Sequence, residues 1–431
     1  TNAQVNGNGS TYVAYLFAHH DGDGEFGPDS DQDVVKCGSY TGNGSSTGPE
    51  IDLGFEPQWI MIKKTNSSQN AHWYMFDAMR GIVTGGDDPY LYANKSDAEV
   101  AGNVLEVTPT GFQLKTSGNG FNGSSDNYIY MAIRRGPLAA PTSATDVFAI
   151  DQQNVSEPYL TSGFPVDFAF QKRKDNSSNW MTGSRLQGAR QLNLDLTSAE
   201  ANETAHEWDY MDGFRSSGYA SDWFGWMWKR APSYFDVVAY TGSGGASQSI
   251  SHNLGVVPEM IWVKDRGNAS NWSIYHSATG ISKVLNFETN AAATGSQYWG
   301  TAAHTSSVFK VGSDTDTGGS GRNYIAYLFA SLDGISKVGS FTSDGTDMTI
   351  DCGFSSGAKL VVLKKTNATD PWWIWDSTRG IVAGNDPRLK LDSGSNQSTG
   401  SDNIDPDSSG FIINNNILGG SGNSFIFYAI A

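Results

Sequence analysis

The 431-residue sequence has few cysteines, no long apolar runs and few basic residues, and each of these shortages excludes a class of protein. It has two cysteines, Cys37 and Cys352, which are too few for a disulfide framework. It has no apolar run as long as a membrane-spanning helix. Basic residues are also scarce, with 28 Lys and Arg against 45 Asp and Glu and a net charge of −17. Because nucleic acids and anionic membranes attract basic surfaces, we expect neither as a partner.

Glycine and aromatic residues, by contrast, are abundant. The sequence contains 50 glycines, and aromatic residues make up 12% of it. Short apolar runs are separated by Gly, Asn and Asp, and long helical periodicities are missing, which is typical of antiparallel strands joined by tight turns. We therefore predict an all-β chain of tandem β-sandwich domains of the jelly-roll or lectin-like kind.

One segment of the sequence recurs along the chain. In residues 54–64 a glycine is followed by Pro57 and then by an apolar run that ends in lysine. Related segments are residues 254–264, residues 353–365 with two extra positions, and residues 163–172 as a weaker copy. A period of about 100 residues indicates tandem domains, each expected to bury its own aromatic residues. The predicted repeats are residues 34–136 (repeat 1), 146–230 (repeat 2, divergent), 234–331 (repeat 3) and 337–431 (repeat 4).

The first 33 residues do not fit a complete repeat. Residues 12–18 are nearly the same string as residues 324–330, which close repeat 3. We therefore expect residues 1–18 to be the final strand of a preceding repeat, or a strand that inserts into another subunit. Residues 19–33 form an acidic linker.

The acidic linker is the one candidate metal site. Its acidic residues are spaced among glycines, and hard cations such as calcium bind several oxygen ligands from flexible loops of this kind. The candidate ligands are Asp21, Asp23, Glu25, Asp29, Asp31 and Asp33. The pattern lacks the final glutamate of an EF-hand, so a solvated linker without metal stays open as the alternative. We predict no other cofactor.

Two tryptophan-rich strands are candidate platforms for stacking sugars. They contribute Trp372, Trp373 and Trp375 in repeat 4, and Trp223, Trp226 and Trp228 in repeat 2. The alternative is that these indoles fill sandwich cores or domain interfaces.

A pair of charged residues beside a glycine recurs in repeats 1 and 4. Asp77 with Arg80, and Asp376 with Arg379, have the same spacing. Recurrence in two repeats favours a structural role in fixing a turn over a catalytic role. We find no nucleophile elbow, zinc-ligand spacing or phosphate-binding loop, and we predict no catalytic residue.

Several strings resemble a repeat found in virion proteins of tailed bacteriophages, notably marine ones. They are residues 39–44, 53–57, 263–266, 271–276 and 323–330, and the resemblance covers nearly all of residues 34–431. Repeat 2 departs from it, since it lacks the hairpin tip and has Pro165 displaced. The resemblance implies a structural role in a tail fibre, a capsid fibre or a related appendage, and it supplies no catalytic residues.

These observations lead to a functional expectation and two alternatives. We expect a non-enzymatic virion protein at the particle surface, homo-oligomeric, in contact with other virion proteins and able to bind host-surface glycan. The first alternative is a secreted glycan-cleaving enzyme, which would need two carboxylates about 5–10 Å apart in a groove. The second is a bacterial surface adhesin built from the same kind of modules.

Overall fold

The computed structural model describes residues 3–19, 26–216, 218, 220–295 and 297–431. Within these residues the regular secondary structure is almost entirely β-strand, and the paired strands run antiparallel. In the described part of the chain, helical structure is limited to α1 (Ala3–Asn6), α2 (Asn415–Leu418) and a 3₁₀ turn at Ala144–Asp146. The predicted all-β multi-domain fold is confirmed.

Repeat 1 is a two-layer sandwich of nine strands. They are β1 (Val35–Thr41), β2 (Glu50–Asp52), β3 (Pro57–Lys64), β4 (Trp73–Asp77), β5 (Asp88–Tyr92), β6 (Val100–Gly102), β7 (Leu105–Thr108), β8 (Gly111–Leu114) and β9 (Asn127–Arg134). The larger sheet has the order β1-β9-β3-β4-β5-β6, and the smaller has the order β2-β8-β7. Between them lies a closed apolar core that includes Phe55, Phe76 and Phe112.

Repeat 2 keeps the larger sheet but has a reduced second layer. Its strands are β10 (Phe148–Gln152), β11 (Leu160–Thr161), β12 (Phe168–Arg173), β13 (Met181–Ser184), β14 (Arg190–Asn193), β15 (Ala201–Asn202), β16 (Gly213–Phe214) and β17 (Trp223–Trp228). The larger sheet has the order β10-β17-β12-β13-β14-β15, and β11 pairs with β16 in the second layer. Phe164, Trp208 and Phe214 belong to its internal core.

Repeat 3 has four strands in its larger sheet. Its strands are β18 (Phe235–Thr241), β19 (Gln248–Ser251), β20 (Met260–Asp265), β21 (Ser273–His276), β22 (Lys283–Val284), β23 (Thr294–Gly295), β24 (Val308–Val311) and β25 (Asn323–Phe329). The larger sheet has the order β18-β25-β20-β21, and the two short sheets are β19-β24 and β22-β23.

Repeat 4 returns to a three-stranded second layer. Its strands are β26 (Ser336–Thr342), β27 (Met348–Asp351), β28 (Leu360–Lys365), β29 (Trp372–Asp376), β30 (Leu389–Lys390), β31 (Ile404–Asp407), β32 (Gly410–Ile413) and β33 (Ser424–Ile430). The sheet orders are β26-β33-β28-β29-β30 and β27-β32-β31. In every repeat the closing strand is therefore a central strand, paired on both sides.

The expectation that each repeat buries only its own aromatic residues is wrong for repeats 2, 3 and 4. The outer faces of their larger sheets meet in one continuous apolar core, to which Phe170, Trp262 and Val362 each contribute from a different repeat. Strand β20 is consequently buried along its whole length, on both faces. In repeat 1, strand β3 shows the alternation of a sheet with one covered face: Ile60 and Ile62 are buried, while Trp59 and Met61 stay partly exposed.

The strand predicted at residues 12–18 does not form in this chain. The segment is exposed coil, with Val13 81% and Leu16 92% exposed. The turn before the segment nevertheless keeps one bond that is typical of a closing strand, because the backbone N–H of Gly7 donates to the Tyr12 hydroxyl at 2.6 Å. The equivalent bond in repeat 3 joins Gly319 to Tyr324 at 2.9 Å. That this segment pairs with strands of a preceding repeat or of another subunit stays a prediction.

Candidate functional site at the repeat junctions

A lysine and a tryptophan eight residues apart organise each junction among repeats 2, 3 and 4. In repeat 3 the lysine is Lys264, at the end of β20, and the tryptophan is Trp272, just before β21. The Lys264 ammonium donates to the Ser270 carbonyl at 2.8 Å and thereby closes the loop between the two strands. The backbone N–H of Trp272 donates to the Glu288 carboxylate at 3.1 Å. Both side chains are fully buried.

The same two residues reach into repeat 2. The Trp272 indole N–H donates to the Asn193 carbonyl at 2.8 Å, and the Lys264 ammonium donates to the Thr197 carbonyl at 3.0 Å. Two backbone hydrogen bonds lie beside these contacts. The Ser270 N–H donates to the Thr197 carbonyl at 2.9 Å, and the Glu200 N–H donates to the Arg266 carbonyl at 2.8 Å. The junction therefore consists of directional hydrogen bonds at the rim of an apolar core.

The other two junctions repeat this arrangement position by position. From repeat 2 to repeat 4 the bonds are Trp180 Nε1 to Lys390 O at 2.7 Å, Lys172 Nζ to Gly394 O at 2.7 Å, Ser178 N to Gly394 O at 2.9 Å and Gln397 N to Lys174 O at 2.8 Å. From repeat 4 to repeat 3 they are Trp372 Nε1 to Asn286 O at 2.7 Å, Lys364 Nζ to Asn290 O at 3.1 Å, Asp370 N to Asn290 O at 2.8 Å and Ala293 N to Thr366 O at 2.9 Å. Each repeat donates to the next, so the three repeats close a head-to-tail ring.

Burial perturbs the ionisable groups of the ring. Removal from water lowers the pKa of Lys172, Lys264 and Lys364 to about 8 in each case. Burial likewise raises the pKa of Glu288 to about 7. Perturbed acid–base pairs can mark catalytic sites. Here, however, the lysines are fully buried and bonded to backbone carbonyls, and the arrangement occurs three times. These contacts indicate a structural role.

A buried ionic cluster attaches repeat 1 to repeats 2 and 3. The Arg230 guanidinium forms two bonds to the Glu56 carboxylate, at 2.7 and 2.6 Å, and one to Asp236 at 2.7 Å. The Arg230 backbone N–H also donates to Asp167 at 2.7 Å. Burial opposes ionisation of Asp236, but Arg230 and Arg135 outweigh it and lower the pKa of this carboxyl. Three repeats thus share one charged centre.

A cavity of about 550 Å³ lies beside this cluster, between repeats 1 and 2. Apolar side chains that include Trp59, Met79 and Met211 line it, together with the charged side chains of Arg185 and Asp167. Trp59 is partly exposed. A cavity with an indole and a few polar groups is the kind of site that takes a small polar ligand such as a sugar.

The prediction of exposed tryptophan platforms is wrong for five of the six tryptophans. Trp226, Trp228, Trp372 and Trp375 are at most 1% exposed, and Trp373 is 8% exposed. They are inaccessible because the larger sheets of repeats 2 and 4 are covered on both faces, and they serve as core and interface residues instead. Trp223, at the start of β17, is partly exposed and remains a candidate.

The predicted turn pairs do come together. In repeat 1 the Arg80 guanidinium lies 2.5 Å from the Asp77 carboxylate, which also accepts the Arg80 backbone N–H at 2.8 Å. In repeat 4 the Arg379 guanidinium lies 2.6 Å from Asp376, which also accepts the Trp226 indole N–H of repeat 2 at 3.2 Å. Both carboxylates therefore fix the turn after the strand, and the second also links two repeats.

The acidic linker is only partly described by the structure. Asp21, Asp23 and Glu25 lie outside the described residues. Asp29, Asp31 and Asp33 are described, and no group of three or more potential metal ligands occurs among the described residues of the chain. Calcium binding that involves all six acids stays a prediction.

Sequence reasoning missed the lysine–tryptophan pairs. The pairs are 172 and 180, 264 and 272, and 364 and 372, so the spacing of eight residues was readable in the sequence. In repeat 1 the corresponding pair, Lys63 and Trp73, is spaced by ten. Nothing in the sequence, however, stated that the lysine would be buried, because that depends on the neighbouring repeat.

The fold and the junctions define a class of protein, a tandem antiparallel β-sandwich protein in which three of the repeats share a core. Comparison with known families adds one finding. The family described as a domain of unknown function (DUF7483) matches residues 1–137 and 229–431, more than half of the chain, and the chain belongs to this family. The match passes over most of repeat 2, which is the divergent repeat. No curated protein matches the chain. Among the described residues no helix is long and apolar enough to span a membrane.

Proposed function

We propose that the chain is a non-enzymatic structural protein of a bacteriophage virion, part of a fibre or surface appendage. The observation that carries this proposal is that the buried lysines and their partner tryptophans donate hydrogen bonds from one repeat to the next. A protein whose polar interior groups join modules is suited to bearing load. The phage assignment rests on the resemblance of the repeat strings, and the net charge of −17 suits a protein exposed on a particle.

The buried carboxylates of repeats 1 and 4 support a scaffold over a glycan-cleaving enzyme. Burial raises the pKa of Asp88 to about 7, which is in the range of a general acid. Yet Asp88 is fully buried and accepts backbone N–H bonds from Val83, Val104 and Leu105. Asp386 does the same in repeat 4. Asp88 and Asp386 therefore each hold two loop segments together in their own repeat. Because both carboxylates are fully buried, neither can reach a substrate.

Binding of a host-surface glycan is the second candidate function, and the cavity between repeats 1 and 2 favours it. The partly exposed Trp59 offers an apolar ring face, and the neighbouring Gln58 and Asp167 offer groups that can bond sugar hydroxyls. Virion attachment and glycan binding are compatible, because a surface appendage is where a phage meets its host.

Immunogold labelling tests the structural proposal. Antibodies raised against the chain should decorate the surface of particles produced from the genome that encodes it. Unlabelled particles that lack the chain by mass spectrometry would overturn the proposal.

A glycan array probed with the purified chain tests the second candidate, the binding of a host-surface glycan. Binding that is lost in Met211→Arg, which places a bulky charge at the cavity, would support it, whereas an array without signal would reject it.

A further inference from the structure

The outer face of the larger sheet of repeat 1 is apolar, yet it is not covered as its counterparts are. We call this surface the ring face of repeat 1. One row of side chains runs across five adjacent strands of it in register: Cys37, Met131, Met61, Met75 and Leu91. All five are partly exposed. The matching row in repeat 3 is Val237, Tyr327, Trp262, Ile274 and Leu285, and these residues are at most 2% exposed.

The ring face of repeat 1 also carries the donor half of a ring junction. Lys63 corresponds to Lys264, and its ammonium donates to the carbonyl of Ala71, two residues before Trp73. The backbone N–H of Trp73 donates to the Asn94 side-chain oxygen at 3.0 Å, as that of Trp272 does to Glu288. The Lys63 ammonium and the Trp73 backbone are therefore held in place before any neighbour arrives, and both side chains are partly exposed.

The acceptor half is present in repeat 1 as well. Leu91 pairs with Met75 as Leu285 pairs with Ile274. The next residue, Tyr92, thus occupies the position of Asn286, the carbonyl that accepts the tryptophan of repeat 4. Four residues further on, Ser96 occupies the position of Asn290, the carbonyl that accepts the lysine. A module with both halves is complementary to copies of itself.

We propose that repeat 1 assembles with repeat 1 of two further copies of the chain into a threefold ring built like that of repeats 2, 3 and 4. At each contact Trp73 Nε1 donates to the Tyr92 carbonyl and Lys63 Nζ to the Ser96 carbonyl of the next copy. Three related repeats of this chain already close a ring with this junction, so the geometry of the junction closes at three and does not continue as a filament.

Two features of the chain set the conditions under which the trimer forms. Burying the partly exposed methionine, leucine and tryptophan side chains of the ring face favours the trimer, at about 25 cal/mol per Å² of apolar area removed from water. The net charge of −17 on each copy opposes it, so moderate salt should strengthen association by screening this repulsion. Lys63 and Trp73 lie at the ends of β3 and β4 that are remote from the cavity at Trp59, so repeat 2 does not occupy this part of the ring face.

Sedimentation velocity of the full chain in 0.15 M salt, from 1 to 100 µM, tests the proposal. The wild-type chain should reach three times its mass of 46.4 kDa. Met131→Glu, which places a charge at the centre of the ring face, should sediment as a monomer. Trp73→Phe keeps the packing but lacks the indole donor, and should raise the concentration needed for assembly about five- to tenfold.

Val257→Glu is the matched control, because Val257 is a 48% exposed apolar residue outside the ring face. It should form the wild-type trimer. Circular dichroism melts check that every variant is folded. A wild-type chain that stays monomeric at 100 µM, forms dimers only, or forms trimers that the folded Met131→Glu variant also forms would overturn the proposal. The test does not depend on the virion assignment.

Discussion

The indole nitrogen of Trp272 lies 2.8 Å from the carbonyl oxygen of Asn193, and this bond joins repeat 3 to repeat 2. Equivalent bonds from Trp180 and Trp372 complete a cycle in which each repeat is both donor and acceptor. Residues 146–431 are therefore joined, around their shared apolar core, by one arrangement of hydrogen bonds that is used three times.

Replacing Trp272 by phenylalanine tests the contribution of one junction. The substitution removes the indole donor and leaves the partly buried Asn193 carbonyl without it. We expect the free energy of unfolding to fall by about 1–3 kcal/mol, measured by urea denaturation. Trp223→Phe at a partly exposed position is the matched control and should cost under about 0.5 kcal/mol. Equal losses in the two variants would show that the junction bond is energetically unimportant.

The buried lysines predict a particular pH dependence. In the folded chain the pKa of Lys264 is about 8, below its ordinary value of 10.5, so between these values the unfolded chain binds more protons. The lysines therefore make stability rise with pH across this window, and we expect an increase between about pH 7.5 and 8.5, before the thiols of Cys37 and Cys352, whose pKa burial raises, oppose it. Burial raises the pKa of tyrosines such as Tyr327, which reverses the trend at higher pH.

Lys264→Met separates the lysine effect from other groups. The variant should show a shallower rise in stability with pH than the wild type, since one of three equivalent lysines is gone. The readout is the slope of unfolding free energy against pH, not the overall stability, which the lost hydrogen bonds also lower. A slope identical to that of the wild type would contradict the claim that Lys264 has a lowered pKa in the folded chain.

The ionic cluster at Arg230 predicts that removing one of its carboxylates will lower the stability of the fold strongly. Glu56→Gln leaves the fully buried guanidinium with one carboxylate fewer, and breaking a buried pair in this way costs about 3–5 kcal/mol. Differential scanning calorimetry should show the loss. Glu99→Gln removes a solvent-exposed partner 3.8 Å from Arg80, and should change stability by under about 1 kcal/mol. If the two variants melt alike, the cluster does not hold repeat 1 in place.

Calcium binding by the acidic linker can be tested by melting in calcium and in EGTA. A site formed by all six acids should raise the melting temperature in calcium by several degrees, because a ligand that binds only the folded chain stabilises it. A variant with Asp21→Asn and Asp23→Asn should lose the difference. Identical melts of the wild-type chain in calcium and EGTA would end the calcium hypothesis.

The strands were predictable because their signals are local. The glycine before Pro57 and the alternating aromatic residues indicate a turn followed by a strand from a short stretch of sequence. The ring was not predictable in the same way. Strands β3 and β20 are both apolar on both faces in sequence, yet only β20 is covered on both, because its neighbours are repeats 2 and 4. For the same reason Trp372 and Trp375, which resemble an exposed platform in sequence, are core residues.

Hydrogen exchange measured by mass spectrometry on Trp272→Ala tests the central claim, that repeats 2, 3 and 4 form one closed unit. If the ring is cooperative, opening one junction should raise amide exchange in the larger sheets of all three repeats, while β1 to β9 of repeat 1 exchange as in the wild type. Faster exchange confined to repeat 3 would show that the repeats are independent and would contradict the account.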